Sequence, residues 1–202
     1  MEYVKLDDIC NFISRGINYN KDELANNSKG GYTVEQISFS DINEEGTFSA
    51  KKKIILKDKS LYYKYKVSEE HILLPPTIKN SAKARRLYDG KASGLFLDKA
   101  VYSSNIVILQ LKDDSSYTPL ELQLLLNTEK IQQRLINEVY SVGKVKSISI
   151  EKLKQFKIPI MTNDIKQALI DYNKYIQKLQ KTKETLNNLI WYFILKNAGS
   201  CW

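Results

Sequence analysis

Two periodicities divide this sequence: short apolar runs with strand or short-helix spacing up to about residue 160, and an unbroken helical pattern after it. "YVKL" predicts a strand over Tyr3–Leu6. The spacing of Ile9, Phe12 and Ile13 then predicts a capped helical turn from Asp7, stopped by Gly16. Residues 18–31, "NYNKDELANNSKGG", form a polar loop. "YTVEQISF" alternates as a strand and enters the turn "SDINEEG", while "KKKIILK", "HILLPP", "GLFLD" and "SSNIVILQLK" read as further strands. The last is apolar enough to be central in a sheet, and Pro75-Pro76 ends "HILL" because proline has no N–H for a ladder. Thr118-Pro119 opens a helix through "PLELQLLLN", and a second helix covers "EKIQQRLINEVYS". A basic turn "GKVKS" follows Gly143, then a short helix opened by Ser149 and the strand "FKIPI".

The tail differs in kind. Ile165, Leu169, Tyr172, Ile176, Leu179, Lys183, Leu186, Ile190 and Phe193 are spaced alternately by four and three, with Lys183 the one polar member. That is a heptad seam. A helix from Asp164 to about Ala198, ended by Gly199, would be roughly 50 Å long. The preceding domain should have a radius of gyration of only about 15 Å, so such a rod calls for a partner helix. The alternative is a helix folded back on its own domain. The expected architecture is an α/β (α+β) globular domain over residues 1–161, followed by a long C-terminal coiled-coil helix over 162–202.

Composition adds little until charge is located. Hydrophobic residues at 43% suffice for a core. "MEYVKLDDIC" lacks the basic-then-apolar order of a signal peptide, and "LNNLIWYFILKN" is too short to span a bilayer. Cys10 and Cys201 stand far apart and His71 is the single histidine, so no zinc set is spaced here and a reduced, cytoplasmic protein is expected. Of 31 Lys/Arg and 23 Asp/Glu, twelve and four lie between Lys51 and Lys91, which leaves nineteen of each elsewhere. The whole surplus sits in one window, which points to a polyanionic partner.

Catalytic readings are thin. Pro75-Pro76 invites comparison with the Pro-Pro-aromatic signature of amino-methyltransferases, but Leu74 precedes and Thr77 follows, so the polar acceptor and the stacking ring are both missing. Asp89-Gly90-Lys91 supplies half of a metal-dependent nuclease set without a second carboxylate at a telling spacing, and Asp-Gly is also a good turn. Ser81 with Lys83 as nucleophile and base is weaker than a solvated basic loop, and His71 reads as structural or surface. Nucleic-acid binding fits better, because Lys/Arg, hydroxyl and amide side chains on loops are what contact phosphate. Lys79, Asn80, Ser81, Lys83, Arg85 and Arg86 form one such loop. Tyr62 and Tyr63 with Lys64 in "KDKSLYYKYK" offer aromatic surface beside charge, unless this is an amphipathic edge strand with lysines facing water. Lys144 and Lys146 make a second basic turn, and Ser14, Arg15, Asn18 and Tyr19 a third polar loop.

"PLELQLLLNTEKIQQRLINEVYSVGKVKSISIEKLKQFKIPIMTNDIKQALI" resembles the end of a target-recognition domain in the specificity (S) subunits of type I restriction–modification systems. The shared order is a Pro-Leu helix, a Gln-Gln helix, a Gly with a basic turn, a "LKxFxIP" helix–strand, and a helix that continues as a coiled coil. "VKLDDICNFISRGINY" resembles the family's opening with its Arg-Gly loop, and "YKVSEEHILLPP" its strand before the mid-domain loop. Met161-Thr162 departs from the usual proline and leucine.

The resemblance implies a non-catalytic, sequence-specific double-stranded DNA-binding subunit. Such a subunit docks methyltransferase (modification) subunits that bind S-adenosylmethionine, and restriction subunits that use ATP and Mg; this chain itself would hold no cofactor and no metal. Full-length S subunits carry two recognition domains, so one domain and one rod resemble a half-length form. Two copies would pair as a homodimer through an antiparallel coiled coil and read an inverted repeat. A metal-dependent DNA nuclease, or a coiled-coil adaptor that does not bind DNA, are the alternatives.

Overall fold

In the computed structural model the chain divides into two compact units, Met1–Ile160 and Met161–Trp202. The structure describes residues 2–18, 31–43, 46–48, 52–79, 81–87 and 99–198, with side chains as far as Trp191. The expected strand "GLFLD", most of the polar loop 18–31, Gly199 and Cys201 lie outside the described residues.

The first unit is mixed α/β. Strand β1 (Tyr3–Lys5) pairs antiparallel with β10 (Lys157–Pro159), which brings the two ends of the unit together. A single turn, α1 (Leu6–Ile9), leads into β2 (Cys10–Arg15), which lies antiparallel to β8 (Val107–Leu111). On the other side of β8 runs β5 (His71–Leu74), so the most apolar strand is the middle one. A second sheet has the order β4 (Lys52–Leu56), β3 (Tyr32–Ile37), β7 (Ala100–Tyr102), with β3 and β7 parallel. The core joins the sheets through Ile37, Leu73, Leu87, Tyr102, Ile106 and Ile108. Helices α3 (Pro119–Leu126) and α4 (Glu129–Glu138) follow as expected. Thr118 and Glu121 close a reciprocal capping box at α3, and Ser149 caps α5 (Ile150–Gln155).

Two expectations are corrected. The helical turn ends at Ile9, and Cys10–Arg15 is strand. The register shifts between Cys10 and Phe12, so the extra residue of a bulge puts the buried Cys10 and Ile13 three apart. That spacing imitates a helix. The stretch 59–65 is a helix, α2 (Lys59–Tyr65), where the edge-strand alternative had placed a strand. Asp58 caps it by accepting from the Ser60 amide at 2.8 Å.

The second unit is α6, a helix of 36 residues over Asn163–Ala198 and about 54 Å long. Along it Ile165, Tyr172, Leu179, Leu186 and Ile190 are exposed, while Leu169 and Ile176 are half-buried. Lys183 is exposed. Phe193 belongs to the helix, but its side chain is not described. No helix among the described residues is long and apolar enough to cross a membrane.

Candidate nucleic-acid interface

Three basic segments far apart in sequence meet where "HILLPP" ends. Past the prolines, β6 (Thr77–Ile78) pairs antiparallel with β9 (Lys146–Ser147), Ile78 opposite Lys146. The proline carbonyls complete the join: Pro75 accepts from the Tyr140 hydroxyl at 2.6 Å, and Pro76 from the Ile148 amide at 2.9 Å. Proline removes a donor but keeps its acceptor, and here both acceptors are used. Exposed Lys79 therefore stands next to the turn that carries Lys144 and Lys146. Arg15, exposed at the end of β2, donates to the Ile148 carbonyl at 3.3 Å and joins the same neighbourhood.

Arg15 is placed there by the glycine after it. A Cβ on Gly16 would come within 2.3 Å of the Ser103 carbonyl oxygen and 2.5 Å of the Tyr102 oxygen. Both atoms are backbone and cannot swing away, so the Arg-Gly pair needs Gly for close approach. Ser14, expected in a loop, lies within β2 opposite Ile108, and the amides of Gly16 and Ile17 donate to the Ile106 and Tyr102 carbonyls at 3.0 and 2.9 Å, which fixes the chain between that strand and exposed Asn18. Tyr19 lies outside the described residues.

The segment 81–87 is extended and held along both edges. On one edge Arg85 and Leu73 exchange two backbone bonds of 2.8 Å. On the other no strand of the described residues lies alongside, and two side-chain amides hold that edge. Asn127 accepts from the Ala84 amide at 2.7 Å and donates to the Ala84 carbonyl at 2.9 Å. Gln132 accepts from the Ala82 amide at 3.1 Å and donates to the Ala82 carbonyl at 3.2 Å. A primary amide has the same donor–acceptor pair as a peptide group, so each mimics one residue of a neighbouring strand. Side chains then alternate: Ala82 and Ala84 are buried, and Ser81 and Lys83 are exposed. Sequence reasoning missed Asn127 and Gln132 as site residues. Gln132 sits on the Gln-Gln helix and Asn127 caps the C-terminus of α3, and the one sequence sign of a buried extended edge was the small-residue alternation "SAKAR".

Other expected residues divide. Arg85 turns partly inward: its guanidinium lies 4.4 Å from the Phe39 ring centre and donates to the Phe39 and Ile42 carbonyls. Arg86 donates twice to the Glu69 carbonyl, at 3.0 and 3.3 Å. Both tie the loop down. Tyr62 is corrected as a base-stacking candidate, because its ring is only 8% exposed and packs between Tyr32 and Tyr63. Tyr63 and Lys64 remain exposed on α2, with Lys59 Nζ 5.8 Å from the ring centres of both Tyr32 and Tyr63. Asn80 and the Asp89-Gly90-Lys91 triplet lie outside the described residues.

His71 is buried. It stacks at a tilt on Tyr102, 5.6 Å between ring centres, and burial holds its imidazole down at about 4. Among the described residues no group of three or more His, Cys, Asp or Glu is placed to hold a metal ion.

No protein-family model matches the sequence, and no curated protein matches it. In three dimensions the chain shares its fold, a mixed α/β unit followed by a long helix, with S subunits of type I restriction–modification systems. The HsdS subunit from Thermoanaerobacter tengcongensis matches with a TM-score of 0.60 at 10% identity, over 91% of this chain and 44% of that one. A chain from a structure of type I R-M complex assembly and conformational transition matches with a TM-score of 0.52 at 13% identity, over 88% of this chain and 38% of that one. The S subunit from M. genitalium matches with a TM-score of 0.49 at 15% identity, over 89% of this chain and 41% of that one. This chain spans less than half the length of each.

Proposed function

We propose that the chain is a sequence-specific DNA-binding specificity subunit of a type I restriction–modification system, reading one half-site through the face built by β6, β9 and the segment 81–87. The observation that carries this reading is the convergence of Arg15, Lys79, Lys144 and Lys146 on one small ladder. No acidic side chain occurs in residues 77–87 or 140–148. Lysine and arginine supply phosphate contacts that fix register, while Ser81 and Asn18 have the donors and acceptors, and exposed Arg15 the donors, that base edges require. A reading segment bonded along both edges arrives already ordered, so less conformational entropy is lost on binding.

The chain would perform no chemical step. Modification subunits holding S-adenosylmethionine would dock to it, and restriction subunits with ATP and Mg would join them. Two copies pairing antiparallel through the seam Ile165–Phe193 would hold two readers at opposite ends of a rod. They would thereby select an inverted repeat with a fixed spacer. Lys183 in the seam would set the register at a cost in stability.

The test is to co-express the chain with a type I modification (methyltransferase) subunit from the same genome and map methylated positions across the host DNA. Two inverted half-sites at constant separation are expected. Methylation without any motif, or the same motif when this chain is omitted, refutes the reading.

A further inference from the structure

The turn between Tyr140 and Ile148 carries something its lysines do not explain. Its stem is well bonded: the Ser141 amide donates to the Ser147 carbonyl at 2.9 Å, the Ser147 amide to Ser141 Oγ at 2.9 Å, and the two hydroxyls lie 3.1 Å apart. Tyr140 and Ile148 are bridged below it and buried. At the tip, Gly143 has φ +148°, a backbone conformation side chains resist. On either side of the Gly143-Lys144 pair stand two valines, Val142 at 101% exposure and Val145 at 60%. A stiff stem presenting β-branched apolar side chains to water at its tip gains nothing for the fold. Burying them against a partner would be favourable.

We propose that Val142 and Val145 are DNA-contacting specificity residues. They make apolar contact with base surfaces in the groove, thymine 5-methyl groups above all, while Lys144 and Lys146 engage the flanking phosphates. This rests on the DNA-reading role proposed above and adds a residue class to it. The surroundings choose DNA over a protein as the partner: the tip has lysine at 144 and 146, pairs through β9 with the strand leading to Lys79, and has no acidic residue within 140–148. The major groove offers one strong apolar feature, the thymine methyl, and small aliphatic side chains read it by contact. Valine, with no polar atom and few rotamers, suits that role.

The probe is a duplex selected by the full wild-type chain from a random-sequence library, made also with uracil in place of thymine. Val142→Ser and Val145→Ser change fully or largely exposed positions, so folding is retained and far-UV circular dichroism confirms it. The wild type should lose affinity about tenfold on the uracil duplex. The double serine variant should bind the thymine duplex about tenfold or more weakly and no longer distinguish the two. Its salt dependence should match wild type, whereas Lys144→Gln should lower the slope by about one. Equal binding of wild type to both duplexes overturns the proposal, as does a serine variant that still distinguishes them. Serine changes that weaken methyltransferase capture while leaving DNA affinity intact also overturn it, in favour of a protein contact. If the wild type enriches no sequence at all, the DNA-reading role itself has failed; if it enriches one that the serine variant binds equally well, only the valine contact has.

Discussion

Replacing Asn127 with alanine tests the claim that a side-chain amide serves as a missing strand. The change removes the 2.7 Å bond from the Ala84 amide and the 2.9 Å bond to the Ala84 carbonyl, and Ala84 is only 2% exposed. Leaving a buried donor or acceptor without a partner costs about 1–3 kcal/mol each. Two groups give about 2–6 kcal/mol, and water reaching the half-buried position of Asn127 trims that to about 2–4 kcal/mol. In a domain of this size that corresponds to a fall in Tm of about 4–16 °C. Urea unfolding measures the loss, and hydrogen exchange locates it: the Ala84 amide, protected in the wild type, should exchange fast in the variant, while the Ala82 amide, still held by Gln132, and the β8 amides stay protected. Asn127→Asp sharpens the point. A carboxylate keeps the acceptor for the Ala84 amide but faces the Ala84 carbonyl with negative charge, so its deficit relative to wild type should shrink at a pH low enough for the protonated acid to donate. A loss below about 0.5 kcal/mol with the Ala84 amide still protected would sink the strand-mimic argument.

Further expectations follow from the same packing. Gly16→Ala drives a Cβ to 2.3 Å from a backbone oxygen and should cost about 3 kcal/mol or more in denaturant unfolding; a near-neutral result contradicts the close approach. His71 has a pKa of about 4 in the fold against an ordinary 6.5, chiefly through burial. The unfolded chain therefore takes a proton that the native ring refuses: this contribution is intact above pH 6.5 and declines through the window down to pH 4, by about 3 kcal/mol in all. His71→Gln should flatten the stability profile within that window, and an unchanged slope rules the assignment out. Paired Ile176→Asp and Leu179→Asp changes should convert a dimer into monomers by light scattering, and an unaltered mass removes the paired-rod proposal.

Legibility followed from whether a signal was local. Thr118 with Glu121, Ser149 and the heptad from Ile165 act within one or two turns of helix, so their elements were readable with nearly correct limits. Asp58 was an equally local cap for α2, but the tyrosine–lysine interleaving of 59–65 resembled strand alternation, and the cap was overlooked. At 10–15 the bulge at Asn11 disguised a strand as a helix. Candidate loops were found by charge, which marks which segments are basic and not where each guanidinium points. Hence Arg85 and Arg86, expected to face outward with Lys83, spend donors on the Phe39, Ile42 and Glu69 carbonyls.

By itself the sequence determined the elements whose hydrogen bonds close within a few residues, the basic window, and the apolar seam of the tail. Only the tertiary structure decided that Arg15, Lys79 and Lys146 share one neighbourhood, and that Asn127 and Gln132 complete a sheet edge. The reason is range. A helix cap or a heptad repeats within the reach of its own backbone, whereas a ladder between Ile78 and Lys146 forms only once the intervening chain has packed, and no period in either segment records its partner.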